Sequence, residues 1–316
     1  MLVLGANLGV DRTLRLERLL PGYVQRPRDA VATAGGKAVN ICRASRAHDV
    51  RPRLVANLPG RMGELVGDML GAEGHDVRRV VTDGEARSQI VIIEDDLRIT
   101  VLNEPGPQLS QPDLEGLLGA LREELPGHRV AVASGSLPPG APDDAYGRVV
   151  ELARAAGAIS VVDAARGALR ACLAFGPDVV TPNLAEASAA LLGDTEEAVE
   201  PDGDDVRLDA LDAARGLRAA GARSALVTAG RHGVAGAADD GCFWVAAPAV
   251  EGVNPVGAGD SFVAGLAIAL ERGATLREAT IAAVATGSAS VAHPLAGGVD
   301  PRLVAALQPA LSLEPA

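Results

Sequence analysis

Short apolar segments alternate with longer amphipathic segments along most of the chain. The short segments have the length and composition of buried strands, and the longer ones carry apolar residues at helical spacing. This alternation is typical of βαβ units, in which helices cover both faces of a parallel sheet. The predicted strands are residues 2–4, 53–57, 130–134, 159–163, 178–180 and 225–228, and the predicted helices include 37–47, 143–156, 184–192 and 207–220.

Two regions depart from this alternation, because residues 12–16 and 88–103 carry β-branched residues in strand-length runs with no helix between them. Residues 88–94 and 97–103, joined at Asp95-Asp96, predict a hairpin. We expect these segments to form a small sheet beside the main one, where it would act as a lid. The acidic segment 194–205 contains Pro201 and Gly203, which favours a solvated loop over a domain boundary.

The charge and the scarcity of aromatic residues argue against two classes of partner. The chain has 41 acidic and 29 basic residues, a formal charge of -12 and an isoelectric point near 4.9. Such a surface repels nucleic acid and anionic bilayers on average. Aromatic residues, on which single-stranded nucleic acids stack, make up only 2%. We therefore expect no nucleic-acid or membrane partner, and an anionic ligand would need a local positive pocket.

The cysteines and histidines predict neither a disulfide framework nor a zinc site. Cys42, Cys172 and Cys242 are odd in number and far apart, and the five histidines show no metal-binding spacing. A Gly-x-Ser-x-Gly motif is absent as well, which disfavours a hydrolase. The first ten residues lack the pattern of an export signal, and no apolar run reaches the length of a membrane span. These features predict a cytoplasmic protein.

The segment Asn254-Pro-Val-Gly-Ala-Gly-Asp-Ser-Phe262 places two glycines directly before an apolar helical run at 261–270. Backbone N–H groups at such a turn, with the positive end of the helix, form a hole for an anion. Asp260 at its rim could take a proton from a hydroxyl group while the hole holds charge on a transferred phosphoryl group. The alternative is an ordinary glycine turn with an acidic residue in the first helical turn.

A second glycine-rich helix entrance, Gly35-Gly-Lys-Ala-Val-Asn40, contains the sole lysine of the chain. The other basic residues are arginines, so a lysine at this position indicates a site that needs a compact ammonium group. Chance survival in an arginine-rich sequence is the alternative.

Three further motifs follow predicted strands, where open α/β sheets place their ligands. They are Ser134-Gly-Ser-Leu-Pro-Pro-Gly140, Thr181-Pro-Asn-Leu-Ala-Glu186 and Thr228-Ala-Gly-Arg-His-Gly233. Asn183 and Glu186 offer two oxygen donors three residues apart, which suits a hydrated Mg²⁺ ion. The same spacing also fits a helix cap in which Glu186 completes a capping box.

Six motifs in this order resemble the ribokinase-like PfkB carbohydrate kinases, in particular the branch of 1-phosphofructokinase, tagatose-6-phosphate kinase and the minor 6-phosphofructokinase. The motifs are Asn7-x-x-x-Asp11-Arg-Thr, Gly35-Gly-Lys-x-x-Asn40, Asn103-Glu-Pro-Gly-Pro107, Ser134-Gly-Ser-Leu-Pro-Pro-Gly140, Pro182-Asn-x-x-Glu186 and Val256-Gly-Ala-Gly-Asp-Ser261. The resemblance covers nearly the whole chain. It implies a single domain, 1–316, folded as a three-layer α/β sandwich with a mainly parallel central sheet, and a β-sheet lid formed from about 10–34 and 87–103.

The resemblance also implies an ATP-dependent transfer to a sugar phosphate, with Mg²⁺ as the accompanying ion. Asp260 would be the base, and the anion hole would be formed by the amides of Gly257, Ala258, Gly259 and Asp260. The sugar-phosphate site would be lined by Asp11, Gly35, Gly36, Lys37, Asn40, Arg87 and Ser134. Glu186 and Asn183 would serve Mg²⁺, and the nucleotide would contact Asn183, Thr228, Gly230 and Gly233. Relatives of this kind often form homodimers through the lid.

The chain departs from the family pattern at three places. Thr181 replaces a lysine of the usual Lys-Pro-Asn, Ala164-Ala165 interrupt the usual Asp-Thr-Ser-Gly, and Leu8 replaces a proline. The change at Thr181 removes a cation near the nucleotide phosphates, and Arg166 is a candidate to replace it.

Three functions are compatible with these motifs. The first is a sugar-phosphate kinase, in which Lys37 neutralises the phosphate that the substrate already carries. The second is a kinase of an unphosphorylated sugar or nucleoside, which Asp11-Arg-Thr and Lys37 disfavour. The third is a low-turnover binding protein derived from a kinase, which Thr181 suggests and the intact Asp260 disfavours. The motifs do not distinguish fructose 1-phosphate, fructose 6-phosphate and tagatose 6-phosphate.

Overall fold

Strands and helices alternate through the computed structural model, which describes residues 1–96, 98–193 and 205–316. The predicted loop at 194–205 lies outside the described residues except for Asp205, and so does Leu97, the first residue of the predicted strand 97–103. The strands are β1 (Leu2–Gly5), β2 (Gly9–Leu16), β3 (Asp29–Gly35), β4 (Arg53–Asn57), β5 (Asp76–Val80), β6 (Arg87–Glu94), β7 (Ile99–Asn103), β8 (Val130–Ser134), β9 (Ile159–Asp163), β10 (Val179–Val180), β11 (Ser224–Thr228), β12 (Gly233–Ala238), β13 (Gly241–Ala246) and β14 (Glu314–Pro315).

The helices pack around these strands. They are α1 (Lys37–Arg46), α2 (Gly60–Ala72), α3 (Gln111–Glu124), α4 (Ala145–Ala155), α5 (Arg166–Leu173), α6 (Leu184–Leu192), α7 (Val206–Ala219), α8 (Ala258–Glu271), α9 (Leu276–Val291) and α10 (Pro301–Leu307). Over the described ranges, none of the helices combines the length and the apolar character that crossing a membrane requires.

The larger sheet has the parallel centre expected of βαβ units. Within the described residues its strand order is β14-β13-β12-β11-β10-β9-β8-β1-β4-β5. All neighbours from β11 to β5 are parallel. The remaining edge, β11 to β14, is antiparallel. The sequence analysis did not predict β12, because its residues are all glycine, alanine or valine and give little strand signal.

Alternate residues of the central strands face two separate cores, as the period of two in a strand requires. Leu2 and Leu4 of β1 pack into the core that α3, α4, α5, α6 and α7 cover. Val3 packs into the opposite core, which α1, α2, α8 and α9 cover. The sheet is therefore sandwiched between two helical layers, and this architecture agrees with the predicted three-layer α/β sandwich.

The smaller sheet combines the two β-rich regions that interrupt the helical pattern. Its strand order is β3-β2-β6-β7, with β2 and β6 parallel and the other neighbours antiparallel. β2 begins at Gly9, where an added Cβ would lie 2.1 Å from the carbonyl oxygen of Arg87. Glycine therefore permits the close pairing of β2 with β6. β3 was not predicted, since alanines dominate its middle.

The topology places a crevice at the carboxyl ends of the parallel strands. β1 has β8 on one side and β4 on the other, so the strand order reverses at β1. Open α/β sheets bind ligands at such a reversal. The loops that follow β1, β8, β9, β10 and β11 all begin at this edge.

Candidate active site

A cavity of about 1370 Å³ lies at this edge, between the larger and the smaller sheet. The smaller sheet contributes Asp11, Arg87, Gln89 and Asn103 to its lining. The predicted site residues that line the cavity are Asp11, Gly36, Lys37, Asn40, Arg87, Ser134, Asn183, Glu186, Thr228, Gly230, Gly233, Gly257, Ala258, Gly259 and Asp260. Gly35 is the one predicted residue outside this lining.

Gly35 lies behind the side chain of Asp11. An added Cβ at Gly35 would lie 2.0 Å from Asp11 Oδ1, so the glycine leaves room for this carboxylate. Burial raises the pKa of Asp11, although the positive charges of Arg87 and Arg43 and a hydrogen bond from the Gly36 backbone oppose the rise. Arg87 itself donates from Nε to the carbonyl oxygen of Asn7 at 3.0 Å. The cavity thus has a carboxylate and a guanidinium side by side on the smaller sheet.

The N-terminus of α8 faces the cavity. The helix begins at Ala258 rather than at the predicted residue 261, so Gly259 and Asp260 lie in its first turn. Gly257 caps it with a φ of 86°, and an added Cβ there would lie 2.8 Å from the backbone nitrogen of Gly297. In the part of the chain that the structure describes, the amides of Gly259 and Asp260 have no hydrogen-bond acceptor. The Ala258 amide, which was predicted to belong to the anion hole, instead donates to the carbonyl oxygen of Pro255 at 3.2 Å. Free amides at a helix N-terminus suit an anion.

Asp260 is buried in the floor of the cavity, with 6% of its surface exposed. Asn40 Nδ2 donates a hydrogen bond to Asp260 Oδ2 at 2.8 Å. Burial raises the pKa of Asp260 to about 7, while Lys37 and the hydrogen bond from Asn40 favour the ionised form. A carboxylate that titrates near neutral pH is well suited to accept a proton from a hydroxyl group.

Lys37 lies among carboxylates. Its Nζ is 3.2 Å from Asp163 Oδ2 and 3.4 Å from Glu186 Oε1. Burial opposes its charge, but Asp163, Glu186 and Asp260 together outweigh burial and raise the pKa of Lys37. The predicted contact of Lys37 with a sugar phosphate stays a prediction. In this structure the ammonium group neutralises acidic residues of the protein.

Asp163 is the site residue that the sequence analysis did not select. It ends β9, is buried, and accepts a hydrogen bond from Ser134 Oγ at 2.9 Å. It also forms the shorter of the two ion pairs of Lys37. The sequence signal that could have identified Asp163 is its position at the carboxyl end of a predicted parallel strand.

Asn183 and Glu186 form the helix cap that was the alternative explanation of their spacing. Asn183 Oδ1 accepts a hydrogen bond from the Glu186 amide at 2.7 Å, and Glu186 Oε2 accepts from the Asn183 amide at 3.0 Å. Glu186 Oε1 faces Lys37. Among the described residues, no group of three or more His, Cys, Asp or Glu side chains is arranged to hold a metal ion. The predicted Mg²⁺ role of this pair stays a prediction.

The remaining wall of the cavity carries the predicted nucleotide contacts. Asn183 and Thr228 pair in an isolated parallel bridge, which brings their two loops together. Thr181 is buried beside them, and its Oγ1 has no hydrogen-bond partner among the described residues. Arg166 begins α5 with a φ of 56°, a backbone conformation that is uncommon outside glycine. Both residues line the cavity.

Comparison with known proteins gives information on the family and the fold that is independent of the site geometry. The pfkB family of carbohydrate kinases matches residues 2–302. The 1-phosphofructokinase of Haloferax volcanii is 33% identical over 289 residues, which cover 91% of this chain and 90% of that protein. The 1-phosphofructokinase of Xanthomonas campestris pv. campestris is 33% identical over 281 residues, which cover 85% of this chain and 83% of that protein.

A solved structure extends the similarity to the whole fold. Phosphofructokinase-2 from Escherichia coli, in complex with potassium, matches with a TM-score of 0.86 at 25% identity, and the match covers 98% of each chain. These comparisons confirm the predicted fold class and the predicted ATP-dependent carbohydrate-kinase activity. The chain belongs to the pfkB family of carbohydrate kinases.

Proposed function

We propose that the protein transfers the γ-phosphoryl group of ATP to a hydroxyl group of a sugar phosphate, with Asp260 as the general base. The observation that carries this proposal is the position of Asp260, buried at the N-terminus of α8 beside free backbone amides, with its pKa raised to about 7. A base and an anion site at one point are what phosphoryl transfer to an alcohol requires.

The relatives support a phosphorylated substrate, because both curated proteins are named 1-phosphofructokinase. Their names favour fructose 1-phosphate over fructose 6-phosphate and tagatose 6-phosphate. The guanidinium of Arg87 lines the cavity on the smaller sheet and would pair with the phosphate group of the substrate. Asp11 lies beside it and would accept a hydrogen bond from a sugar hydroxyl.

The chemical step follows from the groups that meet at α8. The acceptor hydroxyl gives its proton to the carboxylate of Asp260, and its oxygen forms a bond to the γ-phosphorus as the bond to ADP breaks. The amides of Gly257, Gly259 and Asp260 stabilise the charge on the transferred group. Arg87 orients the sugar phosphate, and the smaller sheet, as a lid, excludes water that would otherwise accept the phosphoryl group.

Glu186 and Asn183 line the cavity and carry oxygen atoms that could approach a divalent cation brought by ATP. Carboxylate oxygens suit Mg²⁺, which usually takes one or two of them and completes its shell with phosphate oxygens and water. Glu186 would hold the ion through Oε1, with Asn183 next to it, and Mg²⁺ would offset the charge of the nucleotide phosphates.

The proposal includes a homodimer formed through the smaller sheet. Val31 of β3 and Val101 and Leu102 of β7 are exposed large apolar residues on this sheet, and Tyr23 and Val24 are exposed on the connection between β2 and β3. These residues lie on the two edge strands of the sheet and on the adjoining connection, and exposed apolar residues can mark an interaction surface. A second copy of the chain is the partner that we propose. Light scattering should give a dimer for the parent protein and a monomer for Leu102→Asp.

ADP release with a panel of sugars tests the proposed substrate class. We expect kcat/KM to be much higher for one of the three ketohexose phosphates than for the corresponding free sugars and for nucleosides. Arg87→Met should reduce this preference by raising KM for the phosphorylated sugar. Arg122→Met, which removes an exposed arginine of α3, is the matched control and should change nothing. A preference for a free sugar or a nucleoside would contradict the proposal.

A further inference from the structure

A hydrogen-bonded chain of buried side chains leads from Asp260 through α1 to the end of α2. Asn40 Nδ2 donates to Asp260 Oδ2 at 2.8 Å, and Arg43 Nη1 donates to Asn40 Oδ1 at 3.3 Å. We propose that Arg43 is a positioning residue for Asp260, because it holds the Asn40 amide in the orientation that donates to the carboxylate. This inference rests on the proposed role of Asp260 as the base.

The two ends of the Asn40 side chain differ in chemistry but hardly in shape. The nitrogen only donates hydrogen bonds, and the oxygen only accepts them. Asn40 is 5% exposed, so packing cannot select one end and water has little access to compensate a wrong choice. Two partners select the same orientation: Asp260 accepts from Nδ2, and Arg43 donates to Oδ1. The Arg43 donor keeps that orientation when Asp260 is protonated and no longer selects it alone. The flipped amide would place its oxygen against the carboxylate of Asp260.

Arg43 is itself held firmly. It is 7% exposed, and its Nη2 donates to the carbonyl oxygen of Ala34 at 2.6 Å. Nε and Nη2 also donate to the two carboxylate oxygens of Glu73, each at 2.7 Å. Burial opposes the charge of Glu73, but hydrogen bonds from Arg43 and His75 lower its pKa to about 2. Glu73 thus stays ionised near neutral pH and fixes the guanidinium plane.

Arg43 does not belong to the cavity lining, so we expect its effect on Asp260 to pass through Asn40. It lies three residues after Asn40 on α1, where side chains of one helix face are neighbours. One planar guanidinium reaches the end of β3, the end of α2 and Asn40 at once. A lysine has no such fork, so a conservative change to lysine should not preserve the arrangement.

The charged groups that face Asp260 are Lys37 of α1, Asp163 at the end of β9 and Glu186 of α6. Lys37 favours the ionised carboxylate, and the two acidic residues disfavour it. All three are left in place when Arg43 is changed. Arg43→Met also removes a positive charge that opposes the raised pKa of Asp11. That effect persists in an Asn40→Ala background, whereas the effect through the Asn40 hydrogen bond does not, so the comparison of the two backgrounds reports on the hydrogen bond.

The test is the pH dependence of kcat/KM in Arg43→Met, with the best substrate of the ADP-release panel. Loss of the donated hydrogen bond should shift the acid limb of the kcat/KM profile to higher pH by about one unit. A hydrogen bond to an ionised carboxylate lowers its pKa by about that amount. Activity at pH 6 should therefore fall about tenfold, with a much smaller loss above pH 8. The substrate titrates in the same way with every variant, so its titration does not affect the comparison of their pH profiles.

Arg53→Met is the matched control. Arg53 makes a similar two-bond pair with Glu124, at 2.9 Å for each bond, between β4 and α3 and away from the cavity. This variant loses a comparable ion pair and should keep the acid limb of the parent. In an Asn40→Ala background, which already lacks the hydrogen bond, Arg43→Met should cause no further shift through that bond.

An acid limb that is unchanged in folded Arg43→Met, or shifts that add in the double variant, would overturn the inference. If Arg43→Met does not fold because Glu73 loses its arginine partner, the variant with both Arg43→Met and Glu73→Met removes both charges of the ion pair and gives the same test. Asp260→Asn separates the two proposals. Near-normal activity of that variant overturns both, whereas an inactive Asp260→Asn with an unshifted Arg43→Met overturns only the role of Arg43.

Discussion

Asp260→Asn should make the protein more stable at alkaline pH, because the buried carboxylate of Asp260 opposes folding when it is ionised. Its pKa is about 7 in the folded protein, against an ordinary value of 3.8. The folded state therefore binds more protons than the unfolded state between these two values, and stability falls as the pH rises through this window. The ionised carboxylate lowers the free energy of unfolding by its full amount above pH 7 and does not lower it below pH 4.

The size of the effect follows from the difference between the two pKa values. A difference of about three pH units corresponds to about 4 kcal/mol at alkaline pH. Relaxation around an ionised group reduces such costs, so we expect a gain of about 2 to 4 kcal/mol from the neutral amide. For a chain of this length, that gain raises Tm by roughly 5 °C.

Thermal unfolding of Asp260→Asn and the parent at pH 5 and at pH 8.5 measures this gain. The difference in Tm between the two proteins should be several degrees larger at pH 8.5. Other titrating groups are common to both proteins and do not affect the comparison. An equal difference at both pH values would refute the reasoning, since it would show that Asp260 does not change its charge in this interval.

Three further variants test other parts of the site. Lys37→Arg should raise KM for the sugar phosphate about tenfold, because the predicted contact of the substrate with the compact ammonium of Lys37, which lies between Asp163 and Glu186, would be disturbed by a bulkier planar guanidinium; an unchanged KM for every phosphorylated sugar would contradict this. Gly257→Ala should lower kcat on the order of tenfold or more, because the added Cβ would displace the backbone at a φ of 86°, whereas Gly116→Ala on α3, where nothing lies within 4 Å, should keep the parent kcat. Thr181→Lys should lower KM for ATP, because it adds a positive charge where a buried hydroxyl has no partner among the described residues; an equal KM for ATP would show that this position does not face the nucleotide.

Continuous apolar runs made much of the larger sheet predictable. Strands β4, β8 and β9 and helix α6 have the predicted bounds. β3 and β12 could not be found, because their alanines and glycines carry no strand preference and long-range pairing alone makes them strands. The start of α8 was placed three residues late, because Gly-Ala-Gly reads as a turn while the helix in fact starts directly after Gly257.

The predicted site residues other than Gly35 line one cavity, but the sequence motifs could not assign their contacts. The residues of the two glycine-rich motifs meet because α1 packs on α8, which brings Asn40 to Asp260 across 220 positions. The ion pair of Lys37 with Asp163 and the link from Arg43 to Glu73 join separate elements in the same way. Local spacing contains no information on such pairs. For Asn183 and Glu186, spacing allowed both a cap and a metal site, and the structure shows the cap.

The most direct test of the proposed mechanism is kcat of Asp260→Asn with the preferred sugar phosphate at pH 8, where the parent carboxylate is ionised. The amide keeps the shape of the carboxylate but accepts no proton, so kcat should fall on the order of 10²-fold or more. The expected gain in Tm of the same variant excludes unfolding as the cause of that loss. A folded Asp260→Asn protein with near-normal kcat would contradict the assignment of Asp260 as the base.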